Sequence, residues 1–320
     1  EQFVRDDGGV YGDGSRYKNY ETSLAIMCFN EANRDGRYDE LLRKAEGFDK
    51  QIQWDADEGH DESSPSYGGA GLGIAQPLAT QAFRRAIASR SAPGDASVTQ
   101  ALQPHGPDAR YYQHDLSNTA FLVDALHALG RDGKDEAMQK ALVFVSRCQN
   151  LESEYNVTPF AAKVNDGGFY YTVAAGGSSQ AGETADGGLR SYGSMTYAGL
   201  KSMIYCGVGP EDPRVKAAKA WIAKHYTLAE NPGMGQDGLF YYLHTFAKAL
   251  DAVGSDTFTD SAGKSHDWRR ELADRLIGLQ RDNGSWVNSS ERWLEADPNL
   301  VTAYSLLALS YCQPKTAATP

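Results

Sequence analysis

The sequence predicts an all-α, single-domain protein built from repeated helical hairpins, and three observations carry that prediction. Five apolar runs with helical spacing each hold a Thr about one turn in. Short Gly-containing turns lead from these runs into second, more amphipathic ones. The second runs close on a shared punctuation of Gln, Gly and an aromatic residue. At 320 residues, with 41% apolar and 23% charged, the chain can bury a full core and is neither disordered nor collagen-like.

The first helices are marked in turn by Thr22, Thr119, Thr196, Thr245 and Thr302. Leu122, Val123 and Leu126 follow Thr119, and Gly199, Leu200, Met203 and Ile204 follow Thr196, which is the stripe of a core-facing helix. The Thr hydroxyls are expected to bond back to the preceding turn and pack between helices. Second helices are predicted over 38–48, 135–148, 215–225 and 268–279, after turns at 33–36, 130–133, 207–213 and 254–267. The punctuation reads Gln53-Trp54, Gln149-Asn150 and Gln280 through Trp286. Asp7-Gly8-Gly9-Val10 and Asp166-Gly167-Gly168-Phe169 are variants of its latter part, separated from their Gln or lacking it.

Spacing between successive Thr is 97, 77, 49 and 57 residues. The surplus falls between a second helix and the next first helix, so the long loops, roughly 54–114, 150–192, 226–240 and 281–298, gather at the N-terminal ends of the first helices. That end is expected to carry the site, and its helix N-termini favour an anionic group. Residues 71–110 depart from the repeat and are expected to form an inserted excursion over it, with a short helix at 79–90. Residues 314–320 are expected to be a disordered tail. The 18 Tyr, against 11 Phe and 5 Trp, cluster beside Gly-rich loops, which suits the wall of a half-wet cavity.

The net charge of −11 and the lack of a long Lys/Arg run exclude a general nucleic-acid binder. No apolar stretch approaches the roughly 20 residues of a bilayer span. The chain opens without Met, leaving room for a preceding segment, even a sixth hairpin; a soluble protein, cytoplasmic or exported after removal of such a segment, is expected. Cys28, Cys148, Cys206 and Cys312 form no zinc-type grouping, and those at 28, 206 and 312 fall in apolar helical runs as small hydrophobes.

Through the Gln280–Trp286 close and the five Thr-marked helices, the chain resembles the α/α-toroid superfamily of squalene-hopene and other terpenoid cyclases and protein prenyltransferases. The resemblance covers nearly the whole chain apart from about 74–110. It implies one α/α toroid of inner and outer helices, from five to six hairpins over residues 1–313, with an organic ligand in a cavity at the inner-helix N-termini. The cyclase acid motif, Asp-x-Asp-Asp-Thr-Ala, has its counterpart in Asp115-Leu116-Ser117-Asn118-Thr119-Ala120. The proton-donating middle position is Ser117, and an alcohol cannot protonate an alkene. Asp55-Ala56-Asp57-Glu58 is acidic but follows an outer helix. Of the prenyltransferase zinc ligands only the His is kept, in Tyr242-Leu243-His244-Thr245; Tyr192-Gly193-Ser194 stands where Asp-x-Cys is implied. No cofactor or metal is therefore predicted.

The candidate catalytic residues are His244, Tyr192, Asp115 and Asp297. The candidate ligand-binding residues are Arg190, Asn118, Tyr111, Tyr112, His114, Tyr241, Tyr242, Trp293 and Glu295. Asp115 and Asp297 also stand where an Asp caps a helix. A cyclase- or prenyltransferase-like enzyme is the reading the resemblance implies. A carbohydrate-active toroid is the alternative. Tyr192 or His244 would then take a proton beside a uronate carboxylate neutralised by Arg190 and Asn118, or Asp115 would pair with Glu295 or Asp297 for hydrolysis. A non-catalytic binding domain is the third. In each the partner is a small organic or oligosaccharide ligand and not a nucleic acid.

Overall fold

The computed structural model describes residues 2–56, 60–73 and 114–313, and these form an all-α protein. The excursion at 71–110, with its helix at 79–90, lies outside the described residues beyond position 73, as does the tail. The five Thr-marked runs are α1 (Lys18–Ala32), α3 (Leu116–Ala128), α6 (Gly193–Tyr205), α8 (Leu239–Val253) and α10 (Pro298–Tyr311). The second helices are α2 (Asp39–Gln51), α4 (Glu136–Arg147), α7 (Pro213–Lys224) and α9 (Trp268–Leu279), with a single-turn α5 at Ala161–Val164. Among the described residues four hairpins are thus complete and α10 is a first helix. Pro213 and Pro298 open α7 and α10, where a missing N–H costs nothing. The stretch 254–267, expected only as a turn, forms a small hairpin of β1 (Phe258–Thr259) and β2 (Ser265–His266). Its tip closes on the Asp260 carboxylate, which accepts the N–H of Ala262 and of Lys264.

The chain divides into two compact units, one of Glu1–Phe144 with Val173–Gly176, the other of Val145–Thr172 with Gly177–Pro320. In the first unit α1 packs against both α2 and α3 around Val10, Ile26, Leu42, Ala45 and Ala125. Every residue of α3 from 116 to 126 is buried. In the second unit α6, α8 and α10 pack in succession, α7 lies on α6, and α9 lies on α8 and α10. Within each unit, first helices neighbour first helices and the amphipathic second helices flank them. No described helix is long and apolar enough to cross a membrane.

One device recurs through both units. The backbone N–H groups of Val10, Ala70, Phe169 and Trp286 donate to the hydroxyls of Thr22, Thr119, Thr196 and Thr302 at 3.1, 3.0, 3.1 and 3.2 Å. The marking Thr therefore ties each turn to the first helix beside it. Gln53 Nε2 donates to the carbonyls of Gly68 and Ala137, Gln149 Nε2 to those of Gly167 and Arg214, and Gln280 Nε2 to that of Gly284. In the first two cases one amide joins the end of a second helix, the Gly turn and the start of the next second helix. Asp166–Phe169 thus rejoins Gln149 across the intervening loop, and Gly68-Gly69-Ala70 is a further copy of the turn. Gly167 has φ +82°, and a Cβ there would stand 2.6 Å from the Ala217 carbonyl oxygen, so only glycine fits.

Candidate functional site

In the second unit, the N-terminus of α8 is held by a residue distant in sequence. The Glu295 carboxylate accepts the backbone N–H of Tyr241 at 2.8 Å and of Phe240 at 3.3 Å, and Asn288 Nδ2 donates to it at 2.6 Å. Burial pushes the Glu295 carboxyl above its ordinary value, and these donors pull the other way. A carboxylate at a helix N-terminus completes the orphan N–H groups and meets the favourable end of the dipole. Beside it, Asp237 accepts from Ser290 at 2.7 Å and from Arg292 at 3.0 Å, and Arg292 also donates to Gln180 at 2.7 Å.

Trp293 and Leu294 both adopt left-handed backbone, with φ of 56° and 64°. For two large side chains in succession this is a strained arrangement. It sets the Trp293 ring against Gly238, with the Arg292 guanidinium 4.3 Å from the ring centroid and 45% of the residue exposed. On α8 and α10, the Tyr304 ring lies 5.9 Å from Tyr241 and 5.6 Å from His244, the latter pair stacked at 18°. Burial, followed by the Glu295 charge, pushes the Tyr304 hydroxyl above its ordinary range.

Of the residues singled out in the sequence, Trp293, Glu295, Tyr241 and His244 therefore gather around the N-terminal ends of α8 and α10. Tyr242 instead turns into the core, with its hydroxyl donating to the Thr227 carbonyl and its ring against Tyr197 and Phe246. Tyr192 is the buried N-cap residue of α6. Arg190 is exposed and donates to the Glu183 carbonyl. Asp297 caps α10 by accepting the Asn299 N–H.

Asp115, Asn118 and His114 belong to the first unit. Asp115 caps α3, its two oxygens accepting the Asn118 N–H at 2.9 Å and the Asn118 amide at 2.8 Å. Tyr20, on α1, donates to Ser117 at 2.9 Å and accepts from Asn118 at 3.2 Å. The His114 and His60 rings both pack against Trp54, with centroids 3.8 and 4.4 Å away. Tyr111 and Tyr112 lie outside the described residues, as do Asp57 and Glu58.

Three contributors were not singled out. Tyr304 is one; its place two residues after the marking Thr302 was the available signal. Asn288 supports Glu295. Asn231 accepts the Ser194 N–H at 2.9 Å and so holds the start of α6 from a loop; Asn231-Pro232-Gly233 marks it as a turn residue. Among the described residues no group of three or more His, Cys, Asp or Glu is arranged to hold a metal ion. None of the four cysteines forms a disulfide: Cys148 and Cys206 are buried, while Cys28, expected to pack as a small hydrophobe, is exposed.

No family model matches the chain, and no curated protein matches it either.

Proposed function

We propose that the protein is an α/α toroid of the terpenoid cyclase and prenyltransferase type, and an enzyme acting on an organic ligand held at the N-terminal ends of its first helices. The toroid is supported by the side-by-side packing of first helices within each unit and by the Gln–Gly–Thr device that repeats along the chain. The ligand site is carried by one observation: Tyr241, Tyr304 and His244 set their rings together where Glu295 meets the start of α8. Aromatic faces so grouped hold an isoprenoid chain and stabilise a developing carbocation. Asp115 is not the initiating acid in this reading, because both its oxygens accept from Asn118.

The test is product analysis after incubation with squalene and with prenyl diphosphates. Cyclised or transferred product that disappears in His244→Ala and Tyr304→Phe supports the reading, and no turnover of either substrate class counts against it.

A carbohydrate-active toroid is the second reading, favoured by the polar surround of Trp293, where Arg292, Asp237 and Gln180 offer hydrogen bonds beside a half-exposed ring. Release of unsaturated uronides or of new reducing ends from a polysaccharide panel would select it.

A further inference from the structure

A chain of buried polar side chains crosses the first unit from α2 to the start of α3. Asp49, on α2, is fully buried, as are Ser23 and Asn19 on α1, and Asn118 and Asp115 are nearly so. The Ser23 hydroxyl lies 2.9 Å from Asp49 Oδ2 and 3.1 Å from Asn19 Oδ1. Asn19 Nδ2 donates among the carbonyls of Gly71 and Asn118 and the Asn118 Oδ1, at 3.0, 3.0 and 3.1 Å. Asn118 Nδ2 in turn donates to Asp115 Oδ2 at 2.8 Å.

The directions of these bonds are fixed by counting protons. Backbone carbonyls only accept, so Asn19 must turn its NH₂ toward Gly71 and Asn118 and its Oδ1 toward Ser23. Ser23 has one hydroxyl proton. Were Asp49 ionised, that proton would be shared between two acceptors, Asn19 Oδ1 and Asp49 Oδ2. Asp49 Oδ1 has no hydrogen-bond partner among the described residues. An unsolvated carboxylate holding half of one hydrogen bond is far costlier than a neutral acid.

We propose that Asp49 is held as a neutral carboxylic acid that donates from Oδ2 to Ser23, and that this proton is a pH-sensitive pin joining α2 to α1 and orienting the amides that lead to Asp115. Ser23 then donates to Asn19, and every donor in the chain points from Asp49 toward the N-terminus of α3. Removing the proton strands a charge and reverses Ser23, which frees Asn19 Oδ1.

Among the described residues, the cationic groups of the helices packed around Asp49 are paired elsewhere or exposed. On α2, Glu40 pairs with Lys44, Glu46 with Arg131 and Lys50, and Lys50 with Asp135; Arg43 is exposed. On α1, Lys18 lies over the Tyr11 ring, Glu21 accepts from Gly12 and Ser15, and Glu31 is exposed. On α3, Asp124 is a buried acid and His127 is exposed. Burial correspondingly pushes the Asp49 carboxyl well above its ordinary range, with only the Ser23 bond opposing.

The experiment follows carboxyl carbons by NMR in protein labelled at aspartate, without any ligand, so its outcome is independent of the proposed activity. One aspartate signal should remain in the protonated position at neutral pH, vanish in Asp49→Asn and shift in Ser23→Ala. Urea unfolding supplies a second readout. An acid raised in the folded state adds stability that is full below the unfolded value, about 3.9, and is lost as pH rises toward the folded one. The folding constant of the wild type relative to Asp49→Asn should fall about tenfold per pH unit across that window. A fully deprotonated set of aspartates at neutral pH, or a ratio that does not change with pH, overturns the proposal. If Asp49→Asn does not fold, the wild-type titration and Ser23→Ala still decide.

Discussion

The backbone N–H of Phe169 donates to the Thr196 hydroxyl at 3.1 Å, joining residues 27 apart in the chain, while that hydroxyl donates at 2.9 Å to the Tyr192 carbonyl. Both bonds are buried, so a single oxygen fixes the turn and the first turn of α6 together. Thr196→Val keeps the shape and orphans the Phe169 N–H. Its expected cost is about 1–3 kcal/mol by chemical denaturation, and Thr119→Val should behave alike because Ala70 makes the same bond.

Gly167 and Gly182 both have φ near +80°, but only Gly167 faces a carbonyl, that of Ala217; nothing lies within 4 Å of a Cβ on Gly182. Gly182→Ala should cost about 1–2 kcal/mol from backbone strain alone. Gly167→Ala should cost more, since either the turn or α7 must also move. Equal thermal shifts for the two variants would show that the close approach to α7 is not felt.

Asp212 caps α7 by accepting the Arg214 N–H at 2.8 Å and also accepts the Arg214 side chain at 2.9 and 2.8 Å. The Arg214 guanidinium beside it holds its carboxyl below the usual range. A depressed carboxyl adds stability that is present above its unfolded value, about 3.9, and is lost as pH falls through the folded value. Asp212→Asn should therefore be less stable than the wild type at neutral pH, with the gap narrowing as pH falls below the unfolded value of about 3.9. Parallel unfolding curves from pH 2 to pH 8 measure it.

A ligand lying against Tyr241, Tyr304 and His244 would pass close to Trp293, because Glu295 and Trp293 belong to one turn at the start of α8. Binding should change the tryptophan fluorescence, and Trp293→Phe should remove that change. His244→Ala should weaken binding roughly tenfold, the worth of one aromatic stacking partner. A fluorescence titration that is the same in wild type and His244→Ala would move the ligand elsewhere.

The helices were legible because their signals are local. The stripe after Thr119 and the capping positions of Asp115 and Asp297 lie within a turn or two of what they specify. The Gly68–Ala70 turn escaped notice because 15 residues separate Gly68 from Gln53 and because Ala70 replaces the aromatic. Glu295 was picked out as a ligand-binding residue, yet its observed partners are N–H groups 54 and 55 positions away, a relation no spacing rule encodes. The same holds for His244 and Tyr304, which meet only once α8 and α10 pack side by side.

The clasp between Gln149 and Gly167 closes a loop at its base across 18 residues, the one between Gln53 and Gly68 across 15, and the one between Gln280 and Gly284 across 4. The same buckle thus accepts straps of very different length. Each doubling of a flexible loop costs only about 0.6 kcal/mol in closure entropy. New sequence can therefore be threaded between the Gln and the Gly while the helices on either side keep their register. The helical scaffold and its loops are in this way free to diverge at different rates, and Val157, at 89% exposure the most solvent-facing large apolar residue in the Gln149–Gly167 loop, marks a natural point for insertion.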